Sequence, residues 1–557
     1  MSILKWSLAA VVLVTASQRA SAETPIGAGG QIQQIPPAPV EQNAVPQIPI
    51  PPAQPVAIPV AAGTSFEVKA LRITGQTQFS QTELIAVADF EPGHRLTLPD
   101  LHAMTARITS FYNQRGYFVA RAYLPPQDIT DGVVTIAVIE GHYGEIALRN
   151  QAHVSDVVLM DVIGGLNRGD TVETGPLERR LLIMSDIPGI AVNATLSPGT
   201  AVGTSDLTIG VKPGPFITGD VQADNWGNPY TGTYRVGGTI NWNEPLGIGD
   251  VLSLRTLEST DGGMDYLRAS YQAQAGDATV GVALTGFKYH LGKQFTPLDA
   301  NGSEEIASIY ASYPVIRSYD VNLNVTGEFD ERFFQDNIGA TGTTTDKRAS
   351  VIIAGINGDE VDRFWGGGET DYSVAVTLGD LDIETPWARE EDALTARTNG
   401  GYAKLSASLS RLQELYGPLS LFGSIQGQIA SKNLDISEQM ELGGAQEVRA
   451  YPEGEAYGDE GYVATLEPRL LLPKWQALPG RMQLIAFVDT GFVRVDTNPF
   501  SDAPNNLTRS GAGVGINWYD TNDFLITAAY SHMLGNTPAT SYPDRSGEYW
   551  IQITKFF

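Results

Sequence analysis

Two rhythms of apolar and polar positions divide the chain. From Phe216 to Phe557, segments of about ten residues alternate apolar with polar between turns rich in Gly, Asn and Asp, the period-two pattern of strands whose faces meet different surroundings. Thr239-Ile240-Asn241-Trp242-Asn243 and Tyr549-Trp550-Ile551-Gln552-Ile553 carry it plainly. Candidate strands lie near 216–225, 232–243, 250–258, 264–275, 278–290, 304–314, 319–331, 348–357, 370–379, 399–410, 417–430, 461–472, 481–491, 509–518, 523–533 and 547–557. About 16 strands, an even number, fit a single-chain bacterial barrel with lipid outside and water inside, because only a closed barrel satisfies every backbone group in hydrocarbon. A soluble sandwich is the competing architecture. Roughly 340 residues of short strands exceed the 200 to 250 of one all-β domain, which favours the barrel. Phe557, with Tyr549, Ile551 and Ile553 on its face, suits a closing strand with an interfacial ring.

Between Phe66 and His142 the rhythm is mixed. An alternating run, Phe66-Val68-Ala70-Leu71-Ile73, precedes a short helix after Ser80 and a longer one opened by Leu98-Pro99-Asp100. Leu101, Met104, Ile108, Phe111 and Tyr112 recur at helical spacing on one apolar face, and Arg115-Gly116 supplies the stop. Tyr117 to Leu124 and Gly132 to Ile139 alternate as strands around Pro125-Pro126-Gln127-Asp128. The same β-α-α-β-β order repeats from Gly144 to Pro213, with helices Val154 to Ile163 and Leu177 to Met184 and strands Val192 to Leu196 and Leu207 to Val211. A tandem pair of small α/β modules therefore precedes the strands.

Upstream, Thr24 to Val60 is a Pro, Gln, Ala, Ile and Val tract with Pro36-Pro37, Pro49-Ile50-Pro51-Pro52 and Pro59. Proline removes amide donors and blocks helix, so this reads as an extended tether. A docking strip or a segment threading a pore are the functional alternatives. Lys5, the apolar run Leu8 to Val14 and Ala20-Ser21-Ala22 form a basic region, a short apolar core and a cleavage site, so an export signal is expected and the mature chain should begin near Glu23.

Composition narrows the function. There are 63 acidic against 36 basic residues, a formal charge of -27, which repels a phosphate backbone and argues against nucleic acid. No cysteine is present, which excludes thiol catalysis and Cys-zinc sites. None of the six histidines sits two to five residues from another, and Gly-x-Ser-x-Gly, His-Glu-x-x-His, phosphate and calcium loops are missing. No enzyme, cofactor or metal is expected.

The positive signals are turns and charges. Glu441 to Tyr451, containing Val448, Arg449 and Tyr451, occupies the longest strand-free interval of the second half. Downstream, alternation places Phe487, Asp489 and Gly491 on one strand face. A carboxylate facing a lumen wants a cation, and an infolded arginine offers a bidentate partner. A solvated loop arginine beside acidic neighbours is the alternative.

Several stretches resemble a known family. Asp224-Asn225-Trp226-Gly227-Asn228-Pro229-Tyr230-Thr231-Gly232 followed by Pro245-Leu246-Gly247-Ile248-Gly249-Asp250 looks like the barrel start of two-partner secretion (type Vb) transporters, the haemolysin secretion and activation family. Tyr313-Pro314-Val315-Ile316-Arg317, Leu442-Gly443-Gly444, Val448-Arg449-Ala450-Tyr451 and Phe487-Val488-Asp489-Thr490-Gly491 recur in the family's order. Arg115-Gly116-Tyr117, Tyr123-Leu124-Pro125-Pro126-Gln127-Asp128 and Asp131-Gly132-Val133 resemble its polypeptide-transport-associated (POTRA) domain. The resemblance covers Phe66 to Phe557.

It implies two periplasmic POTRA modules that capture an unfolded, secreted partner exoprotein, a 16-strand outer-membrane barrel in contact with lipid and lipopolysaccharide of a Gram-negative cell, and export without ATP. It further implies an extracellular loop folded into the pore, with Arg449 paired to Asp489. The expected division is a signal peptide 1–22, Pro-rich linker 23–65, POTRA modules 66–142 and 143–213, and a barrel 214–557 with the infolded loop at 433–460. Leu101, Ile108, Tyr112, Phe118 and Tyr123 flank the groove where a passenger strand would add. The family usually has Val-Arg-Gly-Tyr where this chain has Ala450, so a loop tip at positive φ would be strained by roughly one to two kcal/mol. Some relatives carry an N-terminal plug helix, which cannot form between Pro36 and Pro59. The alternatives are a factor that inserts other barrels, a solute channel and a barrel-embedded hydrolase.

Overall fold

The computed structural model describes residues 27–39, 65–521, 523–541 and 545–557. The expected signal peptide lies outside them. The chain forms two compact units, one holding the modules and one the barrel.

In the first module β1 (Ser65–Val68) and β2 (Ala70–Thr74) break the predicted alternating run at Lys69, and β1 pairs with β3 (His94–Thr97), a strand the sequence did not announce. Ser80 caps the helix Gln81–Ala88. Thr97 and Asp100 form a reciprocal capping box on the helix Leu98–Gln114, with Pro99 in its first turn. The predicted strand Tyr117 to Leu124 shrinks to β4 (Arg121–Tyr123), and β5 (Val133–Ile139) lies between β2 and β4, parallel to the former and antiparallel to the latter. The second module repeats this pairing with β6 (His142–Asn150), helices Asp156–Ile163 and Thr174–Ser185, β7 (Ile190–Pro198) and β8 (Thr204–Pro213), β8 being central. The identical strand order marks one duplicated unit, because a parallel first and last strand requires the helical crossover that both halves supply.

Sixteen antiparallel strands close the barrel: β9 (Ile217–Asp224), β10 (Arg235–Asn243), β11 (Asp250–Ser259), β12 (Met264–Ala275), β13 (Ala278–His290), β14 (Ala300–Arg317), β15 (Val321–Ile338), β16 (Thr343–Asp362), β17 (Gly368–Ile383), β18 (Gly400–Tyr416), β19 (Leu419–Ala430), β22 (Glu460–Leu471), β23 (Arg481–Arg494), β24 (Asn506–Asp520), β25 (Phe524–Met533) and β26 (Gly547–Phe556). The remaining strands, β20 (Met440–Glu441) and β21 (Tyr457–Gly458), pair with each other inside the loop that joins β19 to β22. Alternation sorts the side chains: Leu254, Leu284, Ile352, Val488 and Val514 face outward and are exposed, whereas Asp220, Thr239, Glu467 and Asp489 face inward and are buried. Trp242 stacks edge-on with Phe216 on the outer surface, as an interfacial aromatic ring requires. None of the described helices is long and apolar enough to cross a membrane.

The tract read as a tether behaves otherwise where it is described. Residues 28–32 form a short helix, and Ala28 to Gln31 are buried among inward-facing barrel groups. Ala28 N donates to Asp336 Oδ1 of β15 at 2.9 Å, and Arg255 of β11 donates to Pro36 O at 2.7 Å. Residues 27–38 therefore lie inside the barrel, the pore-threading alternative. The helix precedes Pro36, in the part of the tract where proline does not forbid it.

Candidate functional site

The loop between β19 and β22, residues 431–459, folds into the lumen, and its tip is seated by charge. Arg449 donates from Nε to Asp489 Oδ2 at 2.9 Å and from Nη2 to Asp489 Oδ1 at 2.8 Å, a bidentate fork. Its backbone N–H also reaches Asp489 Oδ2 at 3.2 Å, and Nη1 donates to Glu467 Oε2 at 2.7 Å. Thr465 Oγ1 donates to Asp489 Oδ1 at 3.0 Å, and Arg469 Nε to Glu467 Oε1 at 2.9 Å. The guanidinium lies 3.3 Å from the centroid of Phe487, whose ring face attracts a cation. Trp550 Nε1 donates to Arg449 O at 2.7 Å.

Strand pleat explains the arrangement. Thr465 and Glu467 share the inner face of β22, Phe487, Asp489 and Gly491 that of β23, and Thr465 stands opposite Asp489 in register. Asp489 is 0 % exposed and Glu467 4 %, so Arg449 on both carboxylates and Arg469 on Glu467 neutralise charges that burial would otherwise penalise heavily. Val448 and Tyr451 are fully buried with Leu442, Val463 and Val493, and Tyr451 OH donates to Thr537 O at 3.0 Å. At Gly491 an added Cβ would lie 2.4 Å from Leu442 Cδ1, so the wall leaves that side chain empty where the loop packs. All six lumen residues expected from the sequence meet at this one place.

The strain expected at Ala450 does not arise. Ala450 is not among the residues with positive φ, so no left-handed conformation is demanded of it. Its methyl instead faces Gly511 of β24, where an added Cβ would approach within 2.3 Å. The missing side chain of the wall accommodates the extra carbon of the tip.

Sequence reasoning passed over several partners. Arg509 and Glu455 form a second buried ion pair at 2.8 Å, and Glu455 also accepts from Thr540 N and Ser541 N. Glu438 collects Arg332, Lys404 and Tyr402, and Asp435 pairs with Lys347. Asp435, Glu438 and Glu455, spaced along the loop and each facing a cation from a barrel strand, were the available signal. Below the tip a cavity of about 430 Å³ is lined by Arg449, Glu467, Arg469, Ser424, Asn517 and Trp550.

The module residues proposed for passenger contact separate. Leu101, Ile108 and Tyr112 are buried in the first module's core, so their apolar faces are spent on packing. Tyr112 OH donates to Glu140 at 2.8 Å, and the same carboxylate accepts from Thr77 N, Thr77 Oγ1 and Gln78 N. Phe118 packs against the second module's core. Tyr123 is exposed, but the neighbouring edge amide, Ala122 N, already donates to Thr109 Oγ1 at 3.0 Å. That groove is therefore closed at its centre by the helix itself.

Comparison with known proteins decides the family. The haemolysin secretion/activation proteins ShlB/FhaC/HecB match residues 203–518, more than half of the chain. The chain belongs to that family. The ShlB-type POTRA domain matches residues 66–141. Heme/hemopexin transporter protein HuxB of Haemophilus influenzae (strain 86-028NP) is 27% identical over 474 residues, 84% of this chain and 82% of HuxB. Outer membrane transporter CdiB of Dickeya dadantii (strain 3937) is 24% identical over 82% of this chain and 80% of its own. The solved structure of CdiB from Escherichia coli superposes with a TM-score of 0.70 at 21% identity, covering 90% of this chain and 93% of that one, which shows the shared fold. BamA from Haemophilus ducreyi lacking POTRA domains 1-3 gives 0.52 at 14% identity, again a likeness of fold. This two-partner secretion transporter is an outer-membrane β-barrel with its POTRA modules in the periplasm.

Proposed function

We propose that the POTRA modules capture an unfolded secreted exoprotein in the periplasm and hand it to the barrel, which passes it outward once the loop tip leaves Asp489. The supporting observation is the bidentate Arg449–Asp489 contact in a closed barrel of a transporter family. A charged latch of this kind is strong against thermal opening yet exchangeable, because an incoming chain can offer polar partners to both groups as they part. Capture proceeds by strand addition at a module edge, where backbone hydrogen bonds bind an unfolded chain with little regard to side chains. Without a nucleotide loop, the gradient of unfolded passenger and its folding outside provide the direction. The protein performs no catalysis, and its outer surface contacts lipid and lipopolysaccharide.

The test is export by a strain carrying this chain and its passenger. Deleting the transporter should trap the passenger in the periplasm with the composition of other outer-membrane proteins unchanged. A general loss of outer-membrane barrels would instead make it an assembly factor.

A further inference from the structure

The segment after the short lumen helix is held toward the loop by side chains, Gln33 Nε2 donating to Ile436 O at 2.8 Å and Gln34 Nε2 to Tyr457 OH at 2.5 Å, and toward the strands by its main chain. Gln34 O accepts Arg235 Nη1 at 3.1 Å, and Pro36 O accepts Arg255 Nη2 at 2.7 Å. Gln34 sits in the turn that ends the short helix and Pro36 begins the irregular stretch beyond it, yet both carbonyls are turned toward arginines of the wall. Arg235 is fixed from behind by Asp224, which accepts its Nε at 2.8 Å, and the guanidinium of Arg255 lies 5.7 Å from the ring of Tyr266. Arg268 stands directly opposite Arg255 in register on β12. It lines, with Pro36 to Pro39, a cavity of about 470 Å³. Its Nη1 donates to Thr285 Oγ1 at 3.0 Å.

The chemistry on the two sides is complementary. Arginine has five N–H donors and no acceptor. Pro36, Pro37 and Pro39 have carbonyls and no N–H. Donors on the wall therefore meet a stretch, from Pro36 to Pro39, in which three of four residues offer only acceptors, and the contacts to Gln34 O and Pro36 O ignore side-chain identity. An unfolded protein in transit presents the same carbonyl at every residue.

We propose that Arg235, Arg255 and Arg268 form a track that binds main-chain carbonyls of an extended polypeptide. The resident segment 33–39 is one occupant and the exported passenger the other, so the two compete for the same donors. The passenger half of this inference rests on the translocator reading above; the track itself can be tested without any passenger.

The experiment uses the purified chain and a variant lacking residues 27–39, each in planar lipid bilayers, with ion current as the readout. The probe is the capped heptapeptide Gln-Gln-Ile-Pro-Pro-Ala-Pro, alongside a scrambled version and a Gly-Ser heptapeptide. All three should block the shortened variant reversibly, and the intact chain much less. Arg255→Ala with Arg268→Ala in the shortened variant should weaken the block about tenfold, the ratio for loss of one charge-assisted hydrogen bond. Arg255→Lys with Arg268→Lys, which keeps donors at the wall and provides a folded comparison, should retain part of it. Equal block after the alanine substitutions, or block by the native heptapeptide alone, would overturn the track. Failure of the translocator reading would appear differently, as passenger export that continues in cells lacking the barrel.

Discussion

Replacing Arg449 by alanine removes the fork on Asp489, the bond to Glu467 and the cation over Phe487 in one step. Asp489, with no exposed surface, and Glu467, nearly so, would be left as buried carboxylates. Arg469 still serves Glu467 at 2.9 Å and Thr465 still serves Asp489, so the loss falls short of two bare charges. Breaking one side of a buried pair costs about 3–5 kcal/mol. That weakens the seated tip by roughly two to four orders of magnitude relative to a withdrawn one. The loop's other anchors, Arg509 with Glu455 and Lys347 with Asp435, should keep its base in place. The chain has no cysteine, so a single cysteine introduced at Gln446 reports the tip cleanly. In Arg449→Ala that cysteine should react with a membrane-impermeant maleimide much faster than in the parent, while passenger release falls sharply and the barrel still inserts. Unchanged labelling together with normal secretion would refute the latch.

Gly511→Val should mimic the loss of Arg449 in part, because any Cβ there meets the Ala450 methyl; heat-modifiable migration on gels checks that the barrel still forms, and labelling at position 446 reads the tip. Leu101→Ala and Ile108→Ala should each destabilise the first module by about 2–5 kcal/mol without a specific loss of passenger affinity, measured by thermal unfolding of residues 65–214. Burial alone would raise the Glu140 carboxyl, but donors from Gln78, Thr77 and Tyr112 outweigh it and hold it below the usual range. A depressed carboxyl contributes stability that is present above its unfolded value near ~4.3 and is lost as pH falls through the folded value. Acid unfolding of the module pair should therefore shift to higher pH in Glu140→Gln than a surface Glu→Gln control produces, and superimposable acid transitions would contradict this.

Alternation revealed the barrel because lipid and water impose opposite demands on successive residues. It faded where both faces meet water: β14 runs Ala300–Arg317 against an expected 304–314, and β16 runs Thr343–Asp362 against 348–357. Strand β3, four residues beside a helix cap, has too few positions to show any period. At the site, period two places Asp489 inward, but no local rule names Glu467, Trp550 or Gly511, which lie on other strands and are brought to Arg449 only by closure. The proline tract misled for a related reason. Its composition correctly forbids a long helix, whereas its place in the lumen depends on arginines some 200 residues away. The helix face from Leu101 to Tyr112 shows the opposite error, since an apolar face at helical spacing is first a core, and Tyr112 is buried because Glu140 takes its hydroxyl.

On the proposed route the passenger crosses through the barrel interior. Ser424 lines the lumen cavity beneath the loop tip, while its neighbour Ile425 faces outward and is half exposed. With a passenger stalled in transit by a bulky folded domain at its trailing end, cysteines at the two positions test the route by disulfide trapping to cysteines in the passenger. Cross-links at position 424 and none at 425 are expected. Equal cross-linking at both, or none at 424 while export intermediates accumulate, would contradict passage through the pore.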